Sequence, residues 1–142
     1  IKENNQVKIR EHVEGFRLPT EIEWEYCCIG TSSNELYGDL DKIAWYNLNS
    51  KQQTQEVMLK KENDFGMFDM LGNVWEWCYD KHCDYHNAKT NEYNEINYSS
   101  KRVVRGGSWA SFASIISAKH REKKDEKYKS DDLGFRVVKQ YS

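Results

Sequence analysis

Gly66–Trp77, GMFDMLGNVWEW, is the stretch that decides how the chain is read. Leu71-Gly72-Asn73 is a turn signal, because Gly and Asn tolerate positive φ. Val74–Trp77 alternates and reads as the start of a strand. Alternation sends Val74 and Glu76 to one face and Trp75 and Trp77 to the other. A carboxylate set between tryptophans needs a partner once buried. Two partners suit Glu76. One is calcium, which takes oxygens only, here from Glu76, Asp69 across the turn and turn carbonyls. The other is protein: backbone N–H groups or an arginine.

Upstream, GFRLPTEIEWEY (15–26) holds a helix start. Thr20 and Glu23 match a capping box, with Pro19 keeping the approach extended. The helix is expected from about Glu21 through Ile29, stopping at Gly30. Ile22, Tyr26 and Ile29 share one face, and Trp24, Cys27 and Cys28 another. A helix apolar on two sides is expected to be wedged between other elements. Ile1–Glu14 is polar with scattered apolar residues and reads as a short helix or a frayed lead-in. Thr31–Asp41 is turn-rich, Ala44-Trp45-Tyr46 reads as a short buried strand, Ser50–Gln55 as a loop and Glu56–Leu59 as a short strand.

Downstream, Asp80–Ser100 is a long polar loop without periodicity, functional or mobile by its length. Cys78, His82, Cys83 and His86 could hold zinc, but their spacing matches no structural zinc pattern. A Cys78–Cys83 pair in a polar loop is the plainer reading. RVVRGGSW (102–109) suits a strand ending in a glycine bulge. Glu122–Asp132 is charged and reads as a solvated loop. Leu133–Val138 reads as a last strand.

The 142 residues make one domain's worth of chain, with a formal net charge of −2. Basic residues near the C-terminus alternate with acids, unlike a nucleic-acid surface. Five Trp and nine Tyr supply a core with polar handles. No apolar run reaches membrane-spanning length and no signal peptide is visible. The first residue, Ile1, predicts a trimmed N-terminus.

GFRLPTEIEWEY, DFGMFDMLGNVWEWCYD, RVVRGGSW and LGFRVV stand in an order that resembles the formylglycine-generating-enzyme, or sulfatase-modifying-factor, family. The resemblance runs from Gly15 to Val138. It implies an α+β fold, a variant of the C-type-lectin fold with twisted antiparallel strands and much coil. It also implies that the family's N-terminal strands would precede Ile1.

The family's enzymes oxidise a sulfatase cysteine to formylglycine with copper held by two cysteines. The matching positions here are Ser111 and Ile116, which cannot hold soft Cu(I), so no copper is expected. The resemblance assigns structural calcium to Asp69, Gly72, Val74 and Glu76. A second calcium position falls near Met58 and is expected to be empty.

Some relatives resemble sulfoxide synthases, whose iron-binding histidines come from another domain. Others resemble variable proteins of diversity-generating retroelements, which display a changeable surface between the RGGSW and GFR motifs. That surface is Ala110–Asp132 here, with Ser111, Phe112, Ser114, Lys119 and His120 as contact residues for a protein, peptide or saccharide. A loop without a ligand is the competing reading. A formylglycine-generating oxidase and a structural domain of a larger protein are the alternative functions. Arg105, Arg121 and Arg136 are expected to bridge Glu23, Glu25 or Asp132, and Trp24, Trp75, Trp77 and Trp109 to be core.

Overall fold

A computed structural model describes residues 2–3, 6–7, 14–82 and 101–141. The loop expectations for 83–100, and with them Cys83 and His86, lie outside the described residues.

The centre is a four-stranded sheet in the order β8-β7-β6-β9. Its strands are β6 (Trp75–Lys81), β7 (Lys101–Arg105), β8 (Arg121–Asp125) and β9 (Leu133–Gly134). β6–β7 and β7–β8 are antiparallel, and β6–β9 is parallel. The register sets Gly134, Glu76, Arg105 and Arg121 in one row across all four strands. Three short pairs complete the strands: β1 (Lys2–Glu3) with β2 (Gln6–Val7), β3 (Gly15–Arg17) with β10 (Val138–Gln140), and β4 (Ala44–Trp45) with β5 (Leu71–Gly72).

The helix α1 spans Glu21–Ile29, as its capping signals require. Thr20 Oγ1 accepts from the Glu23 N–H at 3.2 Å, and Glu23 Oε2 accepts from the Thr20 N–H at 2.8 Å. Gly30, at φ +61°, closes the helix by donating to the Tyr26 carbonyl. A short helix, α2 (Leu40–Ile43), precedes β4. Trp24 and Cys28 face a core with Ile43, Met70, Leu71, Cys78, Val103 and Ile116.

Gly72 joins the central turn to this core. It sits at φ +76°, where any Cβ would stand 2.2 Å from the Trp45 carbonyl oxygen. Only glycine admits β4 that close. Asn73, at φ +61°, donates its N–H to the same Trp45 carbonyl at 2.8 Å.

Several expectations change. Among the described residues α1 is covered on one side only, with Ile22 80 % and Tyr26 65 % exposed. Glu56–Leu59 forms turn and coil rather than a strand. The charged run begins with a strand instead of a loop: β8 pairs along all of β7, and its lysines and acids suit an exposed edge. Leu133–Val138 divides between β9 and β10, because its two ends pair with different sheets. Trp77 and Trp109 are half-buried, whereas Trp24 and Trp75 are buried.

Candidate functional site

Two buried ion networks meet along α1. Arg105, on β7, is fully buried beneath the helix. It donates to Glu21 and to Glu25, each at 2.5 Å, and to the Ala118 carbonyl. Arg121 binds both oxygens of Glu21, at 2.5 and 2.7 Å. Burial works to raise the Glu21 pKa, but these two guanidiniums prevail and hold it below its ordinary value. Glu25 is the partner expected of this arginine group. Glu21 was not anticipated, since nothing local marks it off from its neighbours. Glu23 pairs instead with Arg17, at 2.7 Å, and Asp132 accepts from the Ser108 hydroxyl.

The second network contains the candidate metal residues. Glu76 is 5 % exposed. Its Oε2 accepts from Arg136 Nε at 2.6 Å and from Trp24 Nε1 at 2.7 Å, and its Oε1 accepts from Arg136 Nη2 at 2.7 Å. Arg136 Nη2 also donates to the carbonyls of Phe68 and Asp69, both at 3.2 Å. Asp69 sits at φ +54°, and its Oδ2 accepts from the Met58 N–H at 2.8 Å. Met58, the neighbour of the expected second site, serves through its backbone.

A cavity of about 350 Å³ opens here, walled by Asp69, Val74, Glu76, Met58, Phe135 and Arg136 among others. Gly72 is not on its wall. The oxygens assigned to calcium include a carboxylate already clasped by a guanidinium and an indole N–H. Calcium takes about six to eight oxygens, and three hydrogen bonds already occupy the Glu76 carboxylate. In this conformation Glu76 is held by Arg136 and the Trp24 indole, the protein partners that one of its two readings expects. Among the described residues no group of three or more His, Cys, Asp or Glu is placed to hold a metal. Cys78 is a free, buried thiol.

The positions matched to the copper cysteines are built for packing. Ser111 is 8 % exposed, and its Oγ accepts from the Ser108 N–H at 3.0 Å. Ile116 is 2 % exposed and lies against Gly107, where a Cβ would come within 2.4 Å of its Cδ1. A hydroxyl and an alkyl group do not fit a thiolate site for copper.

The residues expected to contact a ligand separate. Phe112 is 66 % exposed, just before the 3-10 turn Ala113–Ile115, and Ser114 is exposed on that turn. Lys119 is exposed, 3.5 Å from Glu35. His120 is tucked against Trp75, ring centroids 5.9 Å apart. Ser111 faces inward. Of these five, Phe112, Ser114 and Lys119 are the ones presented to solvent.

The fold is that of a C-type-lectin-like domain, strand-rich and short in helix. The pattern of the sulfatase-modifying factor enzyme 1-like domain matches residues 3–141, and the chain belongs to this formylglycine-generating-enzyme family. It is 31 % identical to the chaperone protein LppX of Paenibacillus barcinonensis, over 96 % of this chain and 55 % of that protein. It is 30 % identical to the inactive C-alpha-formylglycine-generating enzyme 2 of Bos taurus, over 87 % of this chain and 44 % of that protein. Among solved structures, Treponema denticola variable protein 1 aligns with a TM-score of 0.78 and 40 % identity, covering 87 % of this chain and 47 % of that one. The chain thus spans about half the length of these proteins.

Proposed function

We propose that this domain is a non-catalytic binding module on the formylglycine-generating-enzyme scaffold. It would use the surface around Phe112 to hold a protein, peptide or saccharide. One observation carries the reading: Ser111 and Ile116, which the family resemblance matches to the copper ligands, are both packed inward. The framework around them is intact, while the chemistry that would need thiolates has no donors there. Phe112 supplies what a contact surface needs, an aromatic ring held in water by a short turn.

The similarity to a variable protein and to an inactive family member supports the same reading. On the first of these, the chain is a diversified protein of the retroelement type, and Ala110–Asp132 is its display segment.

The test is a peptide and glycan array probed with the chain and with Phe112→Ala. The ring is exposed, so the variant should keep its melting temperature. Binders of the chain should lose about tenfold or more in affinity, as expected of an aromatic anchor. Binding unchanged by Phe112→Ala would overturn the assignment of this surface.

A further inference from the structure

Along β6, Trp77 and Tyr79 alternate with Glu76 and Cys78. Glu76 and Cys78 turn toward α1 and the core, so Trp77 and Tyr79 stand on the opposite face of the central sheet. A cavity of about 270 Å³ opens beside them, walled by Leu18, Trp77, Cys78, Tyr79, Arg102 and Glu126. Leu18 is brought to it by the bond from the Tyr79 N–H to the Pro19 carbonyl, at 2.8 Å. Leu18, Trp77 and Tyr79 are half-buried there.

Two charged side chains complete the wall. Arg102 Nε donates to Glu126 Oε1 at 3.0 Å, and Arg102 Nη1 donates to the Tyr79 carbonyl. The guanidinium carbon lies 5.5 Å from the centre of the Tyr79 ring. These contacts fix the guanidinium, whose side chain is 15 % exposed, while that of Glu126 is 50 % exposed.

The wall selects its occupant by chemistry. Arg102 and Glu126 carry opposite charges and are bonded to each other, so neither stands ready for a counter-ion. A guanidinium only donates and a carboxylate only accepts, each with capacity beyond one partner. A hydroxyl does both, so a polyol suits the two together, where an ammonium or a carboxylate suits one alone. Trp77, Tyr79 and Leu18 call for an apolar face. A pyranose has both parts, hydroxyls around its edge and C–H groups on its faces. At about 270 Å³, just under the roughly 300–1,000 Å³ of drug-sized ligand pockets, the cavity suits one such ring.

We propose that this cavity binds a neutral pyranose ring of a saccharide, with Trp77 under the C–H face and Arg102 and Glu126 on the hydroxyls. The site shares no residue with the surface around Phe112, so either can fail alone.

Methyl β-D-glucopyranoside is the probe, because its ring hydrogens are all axial and leave flat apolar faces. It is titrated into the intact chain in the millimolar range and followed by NMR. The Trp77 indole N–H and the Arg102 Nε–H resonances should shift. Cyclohexanol, which keeps the apolar face and loses most hydroxyls, should bind about tenfold more weakly. Methyl β-D-glucuronide should also bind more weakly, its carboxylate held off by Glu126. Trp77→Ala should abolish the shifts. Should that variant fold poorly, Glu126→Ala decides, because its exposed side chain can be removed without disturbing the core. It should keep the melting temperature and lose about tenfold in affinity. Unmoved Trp77 and Arg102 resonances, or full affinity in the folded variants, would overturn the proposal. So would cyclohexanol binding as tightly as the glucoside, which would leave a merely apolar cavity, or tighter binding of the glucuronide, which would make Arg102 an anion site.

Discussion

Arg136 and Glu76 form a two-pronged ion pair, 2.6 and 2.7 Å long, with the Trp24 indole N–H on the same carboxylate. The pair joins the segment between β9 and β10 to the central strand and to α1. Removing one member strands the other away from water. Glu76→Ala should cost about 3–5 kcal/mol in urea unfolding. A loss under about 1 kcal/mol, within the range of an exposed pair, would show that the pair does not form. The same variant separates arginine from calcium. If Arg136 supplies the charge, calcium and chelator should leave the native melting temperature unchanged. A chelator-sensitive melting temperature that Glu76→Ala abolishes would assign Glu76 to the metal.

Glycine is required at Gly72 and free at Gly15. Gly72→Ala drives a Cβ into the Trp45 carbonyl at positive φ, whereas a Cβ at Gly15 meets nothing within 4 Å. Gly72→Ala should prevent recovery of soluble, folded chain. Gly15→Ala should stay within about 0.5 kcal/mol of the native chain. Equal melting temperatures for the two variants would contradict the close approach of β4 and β5.

Acid should weaken the start of α1. Arg17 hydrogen-bonds Glu23 and, with the Thr20 N–H, lowers its pKa to about 2. The unfolded value is about 4.3. The folded pKa is the lower one, so the contribution is complete above the unfolded value and is lost as pH falls through the folded value. Glu23 is 40 % exposed, and solvent screening reduces the effect to about 1 kcal/mol. Stability should fall between about pH 5 and pH 2, with a shallower fall in Glu23→Gln. Identical pH profiles would remove Glu23 from the account.

Thiol reactivity reports on the packing of α1 and β6. Burial pushes the Cys28 thiol up to about 12 and raises Cys78 as well. Cys27 is half-buried and also raised by burial, to a smaller extent. Iodoacetamide at pH 8, followed by peptide mass spectrometry, should modify Cys27 before Cys28 and Cys78, and all three in denaturant. Rapid native labelling of Cys28 would contradict the core.

The sequence made local structure readable. Thr20, Glu23 and Gly30 delimit α1 because caps are decided within a few residues. The alternation around Glu76 likewise shows β6, and the charged run from Arg121 hides β8 because an edge strand needs no apolar face. Partners far apart in the chain were harder. Arginine was one of two readings for Glu76, but nothing near Glu76 selects Arg136, 60 residues away. Phe112 stood out as an exposed aromatic candidate. Ser111 did not show its inward turn, since its bond to Ser108 depends on the conformation of the glycine bulge.

The most direct test of a non-catalytic scaffold is chemical. Copper-supplemented chain is incubated with a sulfatase-type cysteine peptide, and the peptide mass is followed. The account predicts an unchanged cysteine peptide. Conversion of its thiol to the formylglycine aldehyde would contradict it, and would move the search for the reacting thiolate to Cys27, Cys28, Cys78 and Cys83.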